Sequence, residues 1–144
     1  MNDIYDLERF IKAQENSYEI ALKEIKNGKK VSHWMWFIFP QIDGLGLSLI
    51  SKKYSIKNRQ EAKDYLNHNI LGQRLIEVTN ALMELENIPA RRVFSYPDDL
   101  KLKSSMTLFK IISSDNKIFS DVLVKYFNNQ ECEYTEKYFN SLKI

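Results

Sequence analysis

Apolar residues recur at intervals of three and four along most of the chain, a spacing typical of α-helices. The clearest run covers residues 71–85, where Leu71, Leu75, Val78, Leu82 and Leu85 form one stripe. This spacing places all five side chains on a single helix face. The run therefore predicts a long amphipathic helix that packs its apolar stripe into a core.

Shorter runs and their flanking residues predict further helices. Residues 7–25 form either two helices or one bent helix, with Asn16 or Ser17 able to cap the second part and Gly28 able to end it. The other predicted helices cover residues 47–54, 59–66 after an Asn58 cap, 89–94, 100–112 after a Ser95 cap, 118–127 after Asp115 and Asn116, and 134–142.

The most apolar stretch, here called the aromatic segment, covers residues 32–41 and contains both tryptophans. We interpret it as a buried helix, with Ser32 as its N-cap and Pro40 as its stop. A covered central strand is the alternative, because so short an apolar run has no decisive period. The flanking chain offers helices and no strand partners, which favours the helix.

Length and composition agree with a helical globular protein. The chain has 144 residues, of which 44% are hydrophobic and 28% charged, and it contains only four Gly and three Pro. Few chain-breaking residues suit an α-rich fold better than a many-turned β-sandwich. We expect an all-α, single compact domain over residues 1–144, with about seven to nine helices around the buried aromatic helix.

Charge and cysteine content narrow the classes of partner and location. A formal net charge of +2 is too small to predict binding to nucleic acid or to a membrane. The single Cys132 fits a reducing cytosol, and no signal sequence or apolar run of about 20 residues is present. We therefore expect a cytoplasmic protein; the sequence does not indicate its oligomeric state.

Ionisable groups accompany apolar residues in two segments, the aromatic segment and residues 97–107, here called the lysine–serine segment. Helical offsets of three and four place part of the second segment on one face. If that face meets the aromatic segment, a cleft forms that suits a small anionic or nucleotide-like molecule. The candidates are His33, Asp98 and Asp99 for acid–base chemistry, and Trp34, Trp36, Gln41, Lys101, Lys103, Ser104 and Ser105 for ligand binding.

Each candidate also has a structural explanation. Asp98 and Asp99 suit the first turn of a helix, where carboxylates interact favourably with the helix dipole. Adjacent serines in a buried helix allow a neighbour to pack closely, and a histidine or tryptophan in an apolar run is commonly a core residue. The argument for a site is therefore the coincidence of these residues, and no one of them carries it.

Other site signatures are missing or incomplete. Gly44 and Gly46 lack the third glycine of a dinucleotide loop, and no Walker loop is present. His33, His68 and Cys132 are too scattered to predict a zinc site. Ser104 or Ser105 with His33 and Asp98 or Asp99 would make a Ser-His-Asp set, but no nucleophile elbow supports it. The sequence indicates no cofactor and no metal.

Four stretches together resemble one protein family. They are the aromatic segment, Gly-Leu-Gly-x-Ser at 44–48, Leu-Gly-x-Arg-Leu at 71–75, and Pro-Asp-Asp-Leu-Lys-Leu-Lys-Ser-Ser-Met-Thr-Leu-Phe at 97–109. From residue 7 to about residue 127 the chain is similar to the domain-of-unknown-function family 1810. The resemblance implies an all-α single-domain protein of bacterial type and no established activity.

Some family members bear the label calpastatin. The binding regions of that inhibitor fold on their target, whereas this chain has the apolar content of a packed domain. The sequence departs from the family pattern at Lys103, where arginine is usual, and at Ser95 and Tyr96, where a glycine is usual. Lysine keeps the positive charge but loses the two-pronged hydrogen bonding of arginine.

Two functions of different class are consistent with these observations. The first is a cytosolic protein that binds, or acts on, a small anionic or nucleotide-like ligand. The second is a protein-interaction or regulatory module whose binding surface lies elsewhere, for instance around residues 134–139. Nucleic-acid binding is a weaker third hypothesis, which a salt-dependent interaction with single-stranded oligonucleotides would support.

Overall fold

The computed structural model describes residues 3–113 and 115–141, and this part of the chain contains ten α-helices and no strand. The all-α prediction is confirmed. The helices outnumber the prediction by one, because residues 7–25, left open as one bent helix or two, form two helices. They are α1 (Glu8–Gln14), α2 (Tyr18–Lys26), α3 (Met35–Ile38), α4 (Leu49–Lys53), α5 (Arg59–Asn67), α6 (Leu71–Glu84), α7 (Ala90–Phe94), α8 (Asp98–Ile112), α9 (Ile118–Phe127) and α10 (Glu133–Ser141).

Two long helices, α6 and α8, form the centre of the fold. Helix α6 packs against α2, α5 and α9, while α8 packs against α5, α7, α9 and α10. Four of the five residues of the predicted α6 stripe are buried, and Leu85, directly after the helix, is half-buried. One hydrophobic cluster extends from Leu7 to Phe139. No described helix is long and apolar enough to cross a membrane.

The junction of α5 and α6 requires a residue without a side chain. A Cβ atom built on Gly72 would lie 1.9 Å from the carbonyl oxygen of Leu66, far inside van der Waals contact. Glycine therefore allows the start of α6 to approach the end of α5. This contact fixes the position of α5 relative to α6, and α8 in turn packs against α5.

Several predicted helix ends are confirmed. The Asn58 side chain accepts a hydrogen bond from the backbone N–H of Glu61 at 2.9 Å and so caps α5. Gly28 has φ +76° after α2, and the next N–H, of Lys29, donates to the carbonyl of Glu24 at 3.0 Å. These bonds form the glycine-ended helix terminus that the sequence predicts. The first segment, left open as one bent helix or two, consists of two helices.

Other predicted ends are wrong by a few residues. Ser17 precedes α2 without a capping side-chain bond. Ser95 does not cap α8; it ends α7 with φ +65° and ψ 161°, and α8 begins at Asp98. The backbone carbonyl of Ser95 accepts a hydrogen bond from the N–H of Asp99 at 3.0 Å. Ser95 therefore pairs with the first turn of α8 through its main chain and not through its hydroxyl. The last helix begins at Glu133, and the predicted end at Leu142 lies outside the described residues.

The aromatic segment forms much less helix than expected. Only Met35–Ile38 is helical, and Phe39 leaves the helical region directly before Pro40. The Ser32 hydroxyl does not cap this turn but donates to Glu24 at 2.6 Å. His33 is exposed and Trp36 is half-buried, so the segment is not buried throughout as expected. Ile42 then pairs with Ile56 in an isolated parallel bridge.

Candidate functional site

The chain before α3 is held by one carboxylate of α2. Glu24 accepts hydrogen bonds from the backbone N–H groups of Val31 and Ser32, from the Ser32 hydroxyl, and from the indole N–H of Trp34, at 2.6–2.9 Å. Burial alone would raise the pKa of the Glu24 carboxyl, but these hydrogen bonds outweigh it and lower the pKa to about 2. Glu24 thereby fixes the backbone before His33 and the indole ring that follows it.

A second polar side chain, that of Gln14, bonds to the backbone of α3. The Gln14 amide nitrogen donates to the carbonyl of Phe37 at 2.7 Å, and it lies 3.1 Å from the Tyr65 hydroxyl. The Gln14 amide oxygen accepts from Arg74 at 3.3 Å. Gln14 is only 1% exposed, so these bonds are buried and tie α3 to α1, α5 and α6.

The lysine–serine segment contributes a carboxylate that binds two ammonium groups. Asp98 Oδ2 lies 2.9 Å from Lys30 Nζ, and Asp98 Oδ1 lies 2.9 Å from Lys101 Nζ. Burial would raise the pKa of Asp98, but the hydrogen bonds and charges of the two lysines lower it overall. Lys30 also donates to the carbonyl of Ser32 at 2.7 Å. Its side chain is 8% exposed, so the cluster lies partly inside the protein.

Trp36 lies next to this cluster. The Lys101 ammonium sits 4.2 Å from the centre of the Trp36 ring, a distance at which a cation is attracted to an aromatic face. The ring and the cluster line a cleft of about 220 Å³, here called the smaller cleft. His33 and Ile50 also lie in its wall.

A second cleft of about 510 Å³, here called the larger cleft, adjoins the first, since Trp36 and Lys101 line both. Its wall joins the aromatic segment to α8 and to the start of α10. The wall includes Gln41, Leu45, Leu100, Lys103, Ser104 and Cys132. The two segments singled out in the sequence thus meet in space, and whether they bind a ligand stays a prediction.

Eight of the ten candidates line one cleft or both, but their side chains are open to different degrees. Trp34 is in the wall of the smaller cleft but is only 1% exposed, and Lys30 covers its ring at 5.0 Å. Lys101 also lies over the ring of Trp36, but Trp36 is half-buried, and this exposure makes it the better stacking surface. Gln41 is 5% exposed, and its Nε2 atom has no hydrogen-bond acceptor among the described residues.

Three serine and aspartate candidates are engaged elsewhere or turned inward. Ser104 lines the larger cleft, but its hydroxyl is buried 3.3 Å from that of Thr135. Ser105 is fully buried and lines neither cleft, nor does Asp99, whose Oδ1 is buried without a partner in the described part of the chain. Ser104 is thus bonded to a threonine in place of His33, and the described residues do not assemble a Ser-His-Asp triad.

Sequence reasoning missed three residues that build or line the site. Glu24 and Lys30 lie before the aromatic segment, and neither stands in a distinctive pattern. A hint was available for Lys30, because it lies close before the apolar run. Cys132 reaches the larger cleft only through the packing of α10, which no local pattern indicates.

Within residues 3–113 and 115–141, no group of three His, Cys, Asp or Glu side chains is placed to hold a metal ion.

Comparison with known proteins identifies the family of this chain. Residues 4–139 match the family described as "Protein of unknown function (DUF1810)", and the chain belongs to this family. The match extends the resemblance seen in the sequence beyond residue 127. A comparison with curated proteins gives no match.

A solved structure is very similar to this chain. It is the crystal structure of the conserved hypothetical protein Rv1873 from Mycobacterium tuberculosis, with 41% sequence identity and a TM-score of 0.93. The similarity covers 94% of this chain and 97% of that one. This structural similarity supports the all-α fold.

Proposed function

We propose that this protein binds a small anionic molecule, such as a nucleotide or a sugar phosphate, against Trp36 and Lys101. The observation that carries the proposal is the Lys101 ammonium, 4.2 Å from the ring of Trp36 at the wall shared by both clefts. A fixed cation beside an aromatic face suits a ligand that combines negative charge with a planar group.

The charge around the clefts supports an anionic ligand. The clefts are lined by three lysines, Lys30, Lys101 and Lys103, and by only two carboxylates, those of Asp98 and Glu133. Each ammonium has three N–H donors. Lys30 uses one for Asp98 and one for a backbone carbonyl, and Lys101 uses one for Asp98. Remaining donors are available to ligand oxygens, while Lys103 has no ion pair within the described chain.

The same geometry favours binding over catalysis by Asp98. A carboxylate bonded to two ammonium groups, with a lowered pKa, is a weak proton acceptor. Its role in the proposal is to position Lys30 and Lys101. If the ligand is turned over, exposed His33 is the group of the smaller cleft that could transfer a proton.

A thermal-shift screen tests the proposal. The panel contains nucleoside monophosphates and diphosphates, ADP-ribose, sugar phosphates and pyrophosphate. A ligand at about a hundred times its dissociation constant stabilises the folded protein by roughly 2.7 kcal/mol, a rise of several degrees in Tm. Lys101→Met is expected to lose most of this response. Lys23→Met, which removes an exposed lysine of α2, is the matched control and keeps it.

The screen also has an outcome that contradicts the proposal. If no anion of the panel raises the Tm of the wild-type protein, the clefts are not an anion-binding site. An equal response of wild type and Lys101→Met would also place binding elsewhere.

A protein-interaction module is the second candidate function. Leu47 and Leu49, next to the smaller cleft through Ile50, are 91% and 87% exposed. Large exposed apolar side chains that lie together are typical of contact surfaces. A specific partner that binds wild type but not a Leu47→Ser, Leu49→Ser double variant would favour this function, provided the thermal-shift panel gives no response.

We also propose a cytoplasmic location in a bacterial cell. Cys132 is a free, half-buried thiol, and such thiols persist in reducing compartments. Cell fractionation that finds the native protein outside the cytoplasm would contradict this location.

A further inference from the structure

We infer that the larger cleft binds the uncharged planar heterocycle of a nucleotide-like ligand, and that Gln41 donates a hydrogen bond to an acceptor atom of that ring. The inference rests on the proposed function, because it assigns the part of the ligand that carries no charge. The smaller cleft and Lys101 then bind the anionic part.

The size and wall of the larger cleft suit a ring. Its volume of about 510 Å³ lies in the range of small-molecule sites. Trp36, Leu45, Pro97 and Leu100 give it an extensive apolar wall. A flat uncharged ring gains dispersion and stacking contacts in such a cleft, whereas an isolated phosphate would lose hydration there.

Gln41 supplies the polar recognition element. The side chain is 5% exposed and lies in the wall of the larger cleft, and its Nε2 has no acceptor among the described residues. Buried amide donors nearly always have acceptors, and the Gln41 Nε2 is closed to solvent. A turn of the amide toward the cleft brings this donor within reach of a group that enters from outside the chain. A ring nitrogen or carbonyl oxygen of a heterocycle is such an acceptor.

A competing explanation exists at the same side chain. Gln41 also borders a narrow cavity of about 10 Å³ beside Asp43 and Ser55. A cavity of about this size holds at most one water molecule, which could accept from the amide instead. The two explanations predict different behaviour in the experiments below.

The two clefts are positioned to bind one molecule. Trp36 and Lys101 line both, so a ligand that joins a ring to a phosphate contacts the same two side chains from either side. The ring lies toward Gln41, and the phosphate lies toward Lys101 and His33. A nucleotide can occupy both clefts in this way. A sugar phosphate cannot, because it has no planar heterocycle to place in the larger cleft.

Cys132 gives a direct measure of occupancy in the larger cleft. It is the only cysteine of the chain and lies in this wall. The rate at which iodoacetamide alkylates Cys132 is measured in two separate experiments. One contains ribose 5-phosphate, and the other contains the nucleoside monophosphate that gives the largest thermal shift. At ten times its dissociation constant, the nucleotide should slow alkylation about tenfold, because only roughly one molecule in eleven remains free. Ribose 5-phosphate at matched occupancy of the smaller cleft should leave the rate unchanged.

The outcomes separate this inference from the proposed function. If nucleotides raise the Tm but do not protect Cys132, or if ribose 5-phosphate protects it equally, the ring does not occupy the larger cleft and the inference fails alone. If no anion raises the Tm, the proposed function fails, and the inference fails with it.

Gln41→Leu tests the hydrogen bond without a large change in side-chain volume. We expect nucleotide affinity to fall about tenfold, the effect of one lost hydrogen bond in a site, and ribose 5-phosphate affinity to change less than about twofold. The Tm of the ligand-free variant should not fall. Gln73→Leu, at an exposed position of α6, is the control and should change neither affinity. A lower Tm with unchanged nucleotide affinity would show that Gln41 binds a structural water, which overturns its assigned role.

Discussion

Two carboxylates determine where the side chains of the smaller cleft lie. Asp98 holds the ammonium groups of Lys30 and Lys101, and Glu24 holds the backbone directly before His33. Asp98 could be picked out from the sequence because it starts a segment rich in ionisable residues. Glu24 and Lys30 could not, because their importance comes from partners that only the fold brings within bonding distance.

Glu24 makes a testable contribution to the pH dependence of stability. Its pKa in the folded protein is lowered to about 2, below the value of about 4.3 for an unfolded chain. The stabilisation is therefore complete above about pH 4.5 and decreases as the pH falls toward 2. We expect Glu24→Gln to lower the free energy of unfolding at about pH 7 by roughly 1–2 kcal/mol. The variant loses a charged acceptor of four hydrogen bonds, in a half-buried site that water partly screens.

Urea unfolding of wild type and Glu24→Gln at several pH values measures this effect. The difference between the two proteins should shrink as the pH falls from about 4.5 to about 3. Glu19→Gln changes an exposed glutamate of the same helix and should behave like wild type. A difference that does not depend on pH would show that the Glu24 charge is not what holds the segment.

Ser95 has a backbone conformation that suits glycine. Its φ of +65° with ψ of 161° lies in a region that is strained for any residue with a Cβ. Ser95→Gly should raise the free energy of unfolding by about 1 kcal/mol, the net of the strain relieved and the chain entropy that glycine costs. The Tm should rise by about 2–4 °C.

Ser113→Gly is the matched control for Ser95→Gly. Ser113 also ends a helix, but its φ is −83° and its hydroxyl accepts from the N–H of Asn116. Glycine there should lower the Tm. Calorimetry in which Ser95→Gly is no more stable than wild type would contradict the strained conformation.

At the scale of helices, the positions of the helices could be predicted, whereas the extent of the aromatic helix and several helix ends could not. Helix α6 follows its apolar stripe, and Asn58 caps α5 as expected. The aromatic segment failed as a prediction because Glu24 binds the Ser32 hydroxyl that would cap the helix, and Gln14 binds the Phe37 carbonyl that a longer helix would use. These partners lie eight and 23 residues away in sequence, beyond the reach of local periodicity.

The contact of α5 with α6 predicts an unusual response to alanine. Alanine normally favours a helix over glycine by about 1 kcal/mol, but at Gly72 its Cβ would collide with the backbone of Leu66. We expect Gly72→Ala to lower the free energy of unfolding by at least about 2 kcal/mol, because backbone cannot move aside as a flexible side chain can. Gln73→Ala, at the adjacent exposed position, should stay within about 0.5 kcal/mol of wild type.

Urea unfolding of both alanine variants measures the effect. If Gly72→Ala is as stable as wild type or more so, the two helices do not approach as closely as described. The motif Leu-Gly-x-Arg-Leu would then need another explanation for its glycine.

At the scale of the whole molecule, the fold brings together two segments that are far apart in the chain, residues 32–41 and 97–107. The sequence supported both segments as candidates, because each mixes apolar and ionisable residues. It could not show that Trp36 and Lys101 would separate two clefts, or that Ser105 and Asp99 would lie outside both. Helical offsets place residues on a face of α8 but do not tell which neighbouring helix covers that face.

Tryptophan fluorescence gives the most direct test of ligand binding beside Trp36. The chain has two tryptophans, and Trp34 is 1% exposed with its indole N–H bonded to Glu24. A nucleoside monophosphate that stacks at the clefts should therefore change the emission of Trp36 in a saturable way. Trp36→Phe should show no saturable change, since only the shielded Trp34 remains. Wild-type emission that does not respond to any nucleotide, or a response that persists in Trp36→Phe, would contradict the account.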